Sequence, residues 1–177
     1  MILPAKISIV GLGLMGGSLA LALRLARRVA RQSHAPHITI VDTNPQTLQA
    51  AEWLADVATA DFKAGVAEAE LVILATPVRS VLHLLAELGR VRPEGCMALD
   101  LGSTKWDICQ AMDALPVGFE AMGGHPMCGK ETAGLAPPRQ ICIVIKPLCC
   151  ATQPAPTERM KSLILDLLRI VGAKPCF

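Results

Sequence analysis

The feature that most constrains this chain is a glycine-rich turn between a strand and a helix, within Ile7–Ser18 (ISIVGLGLMGGS). Ile7–Val10 alternates β-branched and small residues, which predicts a buried strand, and apolar residues recur at helical spacing from Met15 to about Arg31. Between them lie three glycines at G-x-G-x-x-G spacing: Gly11, Gly13 and Gly16. A strand, this turn and a helix in that order are typical of a dinucleotide-binding unit.

Each glycine of the turn meets a different steric requirement. Gly11 allows the tight turn, Gly13 lets a pyrophosphate approach the backbone, and Gly16 lets the helix pack closely against the strand. The N–H groups of the first helical turn, which contains Leu14 and Met15, and the positive end of the helix dipole favour an anion. We therefore expect these five residues to hold the pyrophosphate. The alternative is a glycine-rich turn that binds no ligand.

An acidic residue ends the second predicted strand, His37–Asp42 (HITIVD). Asp42 lies 26 residues after Gly16, about where a carboxylate accepts hydrogen bonds from an adenosine ribose. Its charge would repel a 2′-phosphate about 5 Å away by roughly 3 kcal/mol per unit charge at an effective dielectric of about 20. NADP would then bind at least about a hundredfold more weakly than NAD, which is the predicted cofactor. The alternative is that Asp42 only caps the helix beginning at Pro45.

Strands and helices alternate along the chain. Hydrophobic residues make up 52% of the 177 residues and charged residues 18%, which fits a parallel sheet covered on both faces. Further elements are predicted as strands at Val57–Thr59, Leu71–Ala75, Cys96–Leu101, Phe119–Met122, Gln140–Lys146 and Ala173–Phe177, and as helices at Pro45–Leu54, Val78–Leu88, Thr104–Leu115 and Thr157–Val171. An irregular link runs through Gly65. We predict a doubly wound, mostly parallel α/β sheet of the Rossmann type in one domain, 1–177, with its core at about 1–172 and 173–177 as a last strand or a linker.

Composition argues against several classes of function. The net charge of +2 is too small to indicate binding to nucleic acid or to an anionic membrane. The seven cysteines have an odd count and no C-x-x-C spacing, and the four histidines have no ligand spacing, so we expect a reduced protein without a metal site. The most apolar span, Ile7–Leu23, is short and rich in glycine for a transmembrane helix. We expect a cytoplasmic protein that acts on a small molecule.

Ligands bind beyond the carboxyl ends of the strands in such sheets, so the loops at those ends are candidate sites. Thr76 and Pro77 follow one strand; we predict Thr76 as the N-cap of the next helix and expect this loop to lie over the adenosine side of the cofactor. Ser103 follows another strand, within Asp100–Lys105 (DLGSTK). It is either a substrate contact or only the N-cap of the helix that begins at Thr104.

The loop Gly123–Gly134 (GGHPMCGKETAG) contains four glycines and His125. A histidine beside two glycines at the carboxyl end of a central strand is well placed to reach a substrate bound at a nicotinamide. It is also the side chain best able to take a proton near neutral pH. His125 is therefore a candidate base, the alternative being a structural histidine.

Three motifs together resemble the prephenate dehydrogenase family, which includes the arogenate dehydrogenases. They are GLGLMGGSLA (Gly11–Ala20), DLGSTK (Asp100–Lys105) and GGHPMCGKETAG (Gly123–Gly134), in the family's order. The first motif is shared by many dehydrogenases, whereas the HPMCGKE block makes the match specific. Cys128 departs from the family's usual alanine and disturbs no expected catalytic group.

The resemblance implies NAD-dependent oxidative decarboxylation of prephenate or arogenate, on the route to tyrosine. His125 matches the histidine that accepts the proton of the ring hydroxyl, and Ser103 matches the serine that orients that hydroxyl. Gly129, Lys130 and Glu131 belong to the same block and are expected to shape the substrate loop. The residues do not distinguish prephenate from arogenate.

Family members continue with a mostly helical domain that forms much of a homodimer interface. We expect this sequence to be the dinucleotide-binding half alone, the rest lying on another chain or having been lost. The resemblance therefore implies a cofactor-binding half that binds NAD with little or no turnover by itself, and a homodimer for the intact protein. Two other functions stay open. One is a β-hydroxyacid dehydrogenase of the hydroxyisobutyrate or phosphogluconate type, which shares the opening motif. The other is a non-enzymatic module that senses dinucleotides.

Overall fold

The computed structural model of the chain describes residues 3–30, 35–124 and 157–171. Within these ranges six strands form one parallel sheet: β1 (Lys6–Val10), β2 (His37–Val41), β3 (Val57–Thr59), β4 (Leu71–Leu74), β5 (Met97–Asp100) and β6 (Glu120–Gly123). Their order across the sheet is β3-β2-β1-β4-β5-β6. This is the strand order of the Rossmann fold, so the predicted doubly wound sheet is confirmed.

The chain reverses its direction across the sheet between β1 and β4. β1 pairs with β2 from Lys6↔His37 onward and with β4 from Ile7↔Leu71 onward. The strands after β1 are added on one side as far as β3, and the chain then returns to add β4, β5 and β6 on the other side. The loops that follow β1 and β4 therefore diverge, leaving a crevice at the carboxyl end of the sheet.

In the part of the chain that the structure describes, six helices cover the two faces of the sheet: α1 (Leu14–Ala30), α2 (Pro45–Ala51), α3 (Phe62–Val66), α4 (Val78–Val91), α5 (Trp106–Asp113) and α6 (Glu158–Val171). α1, α2 and α6 pack on one apolar cluster, and α3, α4 and α5 pack on the other. β4 (LVIL) is fully buried and contributes alternate residues to the two clusters, because successive side chains of a strand point to opposite faces. A sheet covered on both faces explains why its central strands contain almost no polar residue.

Several predicted elements have different limits in the structure. The link through Gly65 contains a short helix, α3, which begins after Asp61, whose carboxylate accepts the N–H of Ala64. α6 begins after Thr157, whose hydroxyl accepts the N–H of Met160, so this predicted N-cap is confirmed. The predicted strands Gln140–Lys146 and Ala173–Phe177 lie outside the described residues.

Three further features concern the classes of function considered above. None of the helices in the described ranges combines the length and apolar character needed to cross a bilayer. The same ranges contain no cluster of three or more His, Cys, Asp or Glu side chains suited to a metal ion. Cys96 and Cys109 are half-buried free thiols, and burial raises the pKa of Cys96 to about 11.

Candidate nucleotide-binding site

A cleft of about 450 Å³ lies where β1, β2 and β4 end. The glycine turn, the residues after β2, and the loop after β4 with the first turns of α4 enclose it. Its lining residues are Val10, Gly11, Gly13, Val41, Asp42, Thr43, Ala60, Phe62, Ala75, Thr76, Pro77, Ser80, His83 and Leu84. Because strand ends and helix starts converge here, the cleft lies at the crevice that the topology predicts.

Gly11 begins the turn in a conformation that requires glycine. Its φ is +91°, and its N–H donates to the carbonyl oxygen of Val41 at 2.8 Å. A Cβ at this position would lie 2.6 Å from Cγ2 of Thr76 and 2.9 Å from the oxygen of Ala75. Backbone geometry and the adjacent loop therefore both exclude a side chain at Gly11.

Gly13 and Gly16 differ in their surroundings. A Cβ at Gly16 would lie 1.9 Å from the carbonyl oxygen of Gly11, so the absence of a side chain lets α1 pack against the turn. At Gly13 no atom of the described residues, apart from its chain neighbours, lies within 4 Å of the Cβ position, and the residue is exposed on the wall of the cleft. Among the described residues, therefore, no contact requires a glycine at position 13, and the space beside it is open to the cleft. Leu14 and Met15 form the first turn of α1, as predicted.

The carboxylate of Asp42 connects the glycine turn to the end of β2. Its Oδ2 accepts the N–H of Leu12 at 2.7 Å, and its Oδ1 accepts the N–H of Asn44 at 2.9 Å. The cap of α2 is Asn44, whose side chain accepts hydrogen bonds from the first turn. The alternative that Asp42 only caps this helix is therefore wrong. Asp42 lines the cleft, and each of its oxygens has a second lone pair for a ligand.

The opposite wall is formed by the loop after β4 and by α4. Thr76 lies against Gly11 and is not the N-cap of α4; that position is Pro77, and no side chain caps this helix. The prediction of Thr76 as a cap is wrong because its side chain turns toward the glycine turn, where its buried hydroxyl has no hydrogen-bond partner among the described residues. Ser80 and His83 line the cleft one helical turn apart and were missed; their i, i+3 spacing was the available signal.

A second group of polar residues lies at the ends of β5 and β6. Asp100 is fully buried and forms an ion pair with Lys105, whose side chain is 8% exposed. The N–H of Gly102 donates to Oδ1 of Asp100 at 2.8 Å, and Nζ of Lys105 donates to the oxygen of Gly102 at 2.7 Å. Ser103 is exposed, and α5 begins only at Trp106, so Ser103 is not the cap of this helix.

The chain that leads to His125 runs beside this group. Asp100 pairs with Gly123 across the sheet, and the N–H of Gly124 donates to the carbonyl oxygen of Asp100 at 2.7 Å. The structure therefore brings the loop of Ser103 and the residue before His125 to adjacent strand ends. His125 itself lies outside the described residues, as do Gly129, Lys130 and Glu131.

Comparison with known proteins places these features in a family. The family model described as "Prephenate dehydrogenase, nucleotide-binding domain" matches residues 25–176. A prephenate dehydrogenase of Bacillus subtilis is 37% identical over 134 residues, which cover 73% of this chain and 34% of that protein. The chain thus spans about a third of the length of this curated relative, and 36% of a Lactococcus lactis prephenate dehydrogenase that is 30% identical.

Solved structures agree in fold. An arogenate dehydrogenase of Synechocystis is 27% identical with a TM-score of 0.72, covering 97% of this chain and 58% of that one. A prephenate dehydrogenase from A. aeolicus, in complex with hydroxyphenyl propionate and NAD+, has a TM-score of 0.78 over 99% of this chain and 60% of that one. At 23% identity this second likeness concerns the fold alone. With its matched nucleotide-binding domain, the chain belongs to the prephenate dehydrogenase family.

Proposed function

We propose that the chain binds NAD in the cleft at the carboxyl ends of β1 and β4. The observation that carries this proposal is the open space at Gly13, on a turn where Gly11 and Gly16 are sterically required. The pyrophosphate would lie against Gly13 and the first turn of α1, which contains Leu14 and Met15. The adenosine would lie between Asp42 and the loop of Thr76 and Pro77. Bound NAD+ supplies a hydride acceptor at C4 of its nicotinamide.

Asp42 is the proposed determinant of NAD over NADP. Its carboxylate lines the cleft and is fixed by two backbone N–H groups, so it cannot readily turn away from an approaching phosphate. Thr43, Asn44 and Pro45 follow it and provide no cation to offset its charge. A 2′-phosphate would therefore meet an uncompensated negative charge.

We further propose that the chain supplies the cofactor-binding and catalytic-histidine part of an enzyme that oxidatively decarboxylates prephenate or arogenate. The family and the names of the relatives support this reaction. The adjacency of the Ser103 loop and the end of β6 supports a shared site for Ser103 and His125. Gly129, Lys130 and Glu131 would shape the substrate loop.

In this proposal the two side chains act on the ring hydroxyl of the substrate. Ser103 orients that hydroxyl, and His125 accepts its proton as the carbinol carbon is oxidised to a carbonyl; NAD+ held beside Gly13 and Asp42 would supply the hydride acceptor. The bond between the ring and its carboxylate then breaks. Carbon dioxide leaves, the electron pair of that bond completes the aromatic ring, and the former carbonyl oxygen regains the proton from His125, which gives the phenol of 4-hydroxyphenylpyruvate or tyrosine. Aromatisation makes the step effectively irreversible.

The test measures NAD binding on this chain and, because little turnover is expected of the chain by itself, NADH formation on the intact protein, with prephenate and with arogenate. We expect NAD binding that His125→Asn and Ser103→Ala leave intact, and turnover that His125→Asn lowers by at least about a hundredfold, the range typical of a lost general base. His37→Asn is the matched control, because His37 lies at the exposed start of β2 away from the cleft. Turnover that survives His125→Asn would refute the proposed base, and absence of NAD binding would refute the site.

A further inference from the structure

The buried pair of Asp100 and Lys105 is unusual in a sheet that otherwise excludes charge from its core. Asp100 is fully buried at the end of β5, and the Lys105 side chain is 8% exposed. Removing two charges from water costs several kcal/mol each, so such pairs are often no better for stability than apolar residues. Where they are retained, they can instead select one local conformation.

The contacts of this pair converge on one residue, Gly102. Oδ1 of Asp100 accepts the N–H of Gly102 at 2.8 Å, and Nζ of Lys105 donates to the carbonyl oxygen of Gly102 at 2.7 Å. That carbonyl belongs to the peptide bond between Gly102 and Ser103. Because Lys105 fixes its oxygen and Asp100 fixes the preceding N–H, the pair sets the orientation of the backbone from which the Ser103 side chain projects.

The same pair also connects this loop to β6. A Cβ at Gly123 would lie 3.1 Å from Cδ and 3.5 Å from Cε of Lys105, so the lysine stem lies directly over that glycine. The backbone oxygen of Asp100 accepts the N–H of Gly124 at 2.7 Å. The Lys105 stem and this backbone hydrogen bond of Asp100 therefore both join the Ser103 loop to the strand end that precedes His125.

We propose that Lys105, held by Asp100, is a positioning residue that sets the distance between Ser103 and the β6 end. The inference deepens the proposed function, on which the role of Ser103 rests. In this proposal Lys105 holds the backbone of loop 101–105 and of Gly124 in place. The cofactor cleft at Gly13 and Asp42 is held by other contacts, such as the bond from the Leu12 N–H to Asp42.

The experiment measures amide hydrogen exchange by NMR on the full chain without ligand, comparing wild type with Lys105→Met. Met keeps most of the apolar stem and removes the cation. We expect the protection of the Gly102 and Gly124 amides to fall at least about tenfold, because the loop loses the hydrogen bond from the Lys105 ammonium to the Gly102 oxygen and the cation that holds the Asp100 carboxylate. The amides of Ile9 and Ile40, in β1 and β2, should change much less. Lys161→Met is the matched control, because it removes an exposed ion pair with Glu158.

If Lys105→Met fails to fold, Gly123→Ala tests the same contact with a smaller perturbation. Gly123→Ala keeps both charges but displaces the lysine stem by a few tenths of an ångström, so a smaller loss of protection is expected at the same two amides. The NAD dissociation constant should change less than about threefold in either variant. In the NADH assay of the intact protein, kcat should fall while the KM for NAD stays unchanged.

Two results would overturn the proposal. Unchanged protection at Gly102 and Gly124 would show that the pair does not hold the loop, and an equal loss at Ile9 and Ile40 would show a general contribution to stability. These measurements require neither cofactor nor turnover. A failure of the proposed function, seen as absence of NAD binding by the wild type, is therefore distinguishable from a failure of this inference.

Discussion

Gly13→Ala separates a ligand-binding glycine from a structural one. In the free protein the new methyl group meets no atom of the described residues within 4 Å, apart from its chain neighbours. Gly13 is not among the described glycines with positive φ, so its backbone suits alanine. Alanine should therefore leave the fold intact and place a methyl group in the space proposed for the pyrophosphate.

The expected effects of Gly13→Ala on stability and on NAD affinity follow from its surroundings in the free and in the NAD-bound protein. At a compatible backbone position, Gly→Ala stabilises a protein by about 0.4–1 kcal/mol, through the unfolded chain. Overpacking a close contact typically costs about 1–3 kcal/mol. If the new methyl group and the pyrophosphate overlap at a cost of about 2 kcal/mol, the NAD dissociation constant should rise about thirtyfold. Glycine is, however, a better N-cap than alanine, and Gly13 precedes α1 and accepts the N–H of Gly17. Gly13→Ala should thus have a free energy of unfolding within about 1 kcal/mol of the wild type while losing affinity for NAD.

Gly16→Ala is the matched comparison, one helical turn along. Its methyl group would lie 1.9 Å from the backbone oxygen of Gly11, which cannot move without opening the turn. We expect an overlap cost of about 3 kcal/mol, against which the higher helix propensity of alanine returns about 1 kcal/mol. Gly16→Ala should therefore be destabilised by about 2 kcal/mol.

The two variants are compared by urea unfolding, followed by fluorescence, and by calorimetric titration with NAD. The reasoning requires Gly13→Ala to lose affinity while its free energy of unfolding stays within about 1 kcal/mol of the wild type, and Gly16→Ala to lose stability. Wild-type NAD affinity in Gly13→Ala would refute the assignment of that space to the pyrophosphate. A large loss of stability in Gly13→Ala would show that its surroundings are not open.

Three further predictions concern single side chains. Asp42→Asn should narrow the preference for NAD over NADP by about tenfold or more, measured by titration with both, because it removes the charge that repels the 2′-phosphate. Burial raises the pKa of Asp56, but the hydrogen bond from the Ile38 N–H and the pairing with Arg27 outweigh it and leave that pKa below 3.8. A lowered pKa stabilises the fold while the carboxylate is charged, so the free energy of unfolding should fall as the pH drops below 3.8 and through the pKa of Asp56 in the folded protein. Asp56→Asn should weaken this dependence of the free energy of unfolding on pH, measured by urea titrations at several pH values. The same dependence in Asp56→Asn as in the wild type would contradict this prediction. Cys96, with its pKa raised by burial to about 11, should resist iodoacetamide at pH of about 8 until the chain unfolds, as followed by mass spectrometry of its peptide.

Much of the fold could be predicted because its signals are local. The glycine turn marked the junction of β1 and α1, and the alternation of apolar strands with helical patterns indicated the doubly wound sheet. Asp42 could also be placed in the cleft, since it directly ends β2 and ligands bind beyond the carboxyl ends of the strands.

The missed features depend on contacts between distant residues. Threonine is a common N-cap residue, but the side chain of Thr76 packs against Gly11, which is 65 positions away in the sequence. The α3 helix was overlooked because Gly65 suggested a link, although Asp61 was an available capping signal. The pair of Asp100 and Lys105 spans five positions, a spacing that neither a helix nor a strand brings together, so only the folded loop shows it.

The measurement that tests the account most directly is calorimetric titration of this chain with NAD and, separately, with NADP. The account predicts that NAD binds and that NADP binds at least about a hundredfold more weakly, because of the Asp42 carboxylate. Failure to bind either dinucleotide would contradict the assignment of the cleft, and equal affinity for both would contradict the role of Asp42.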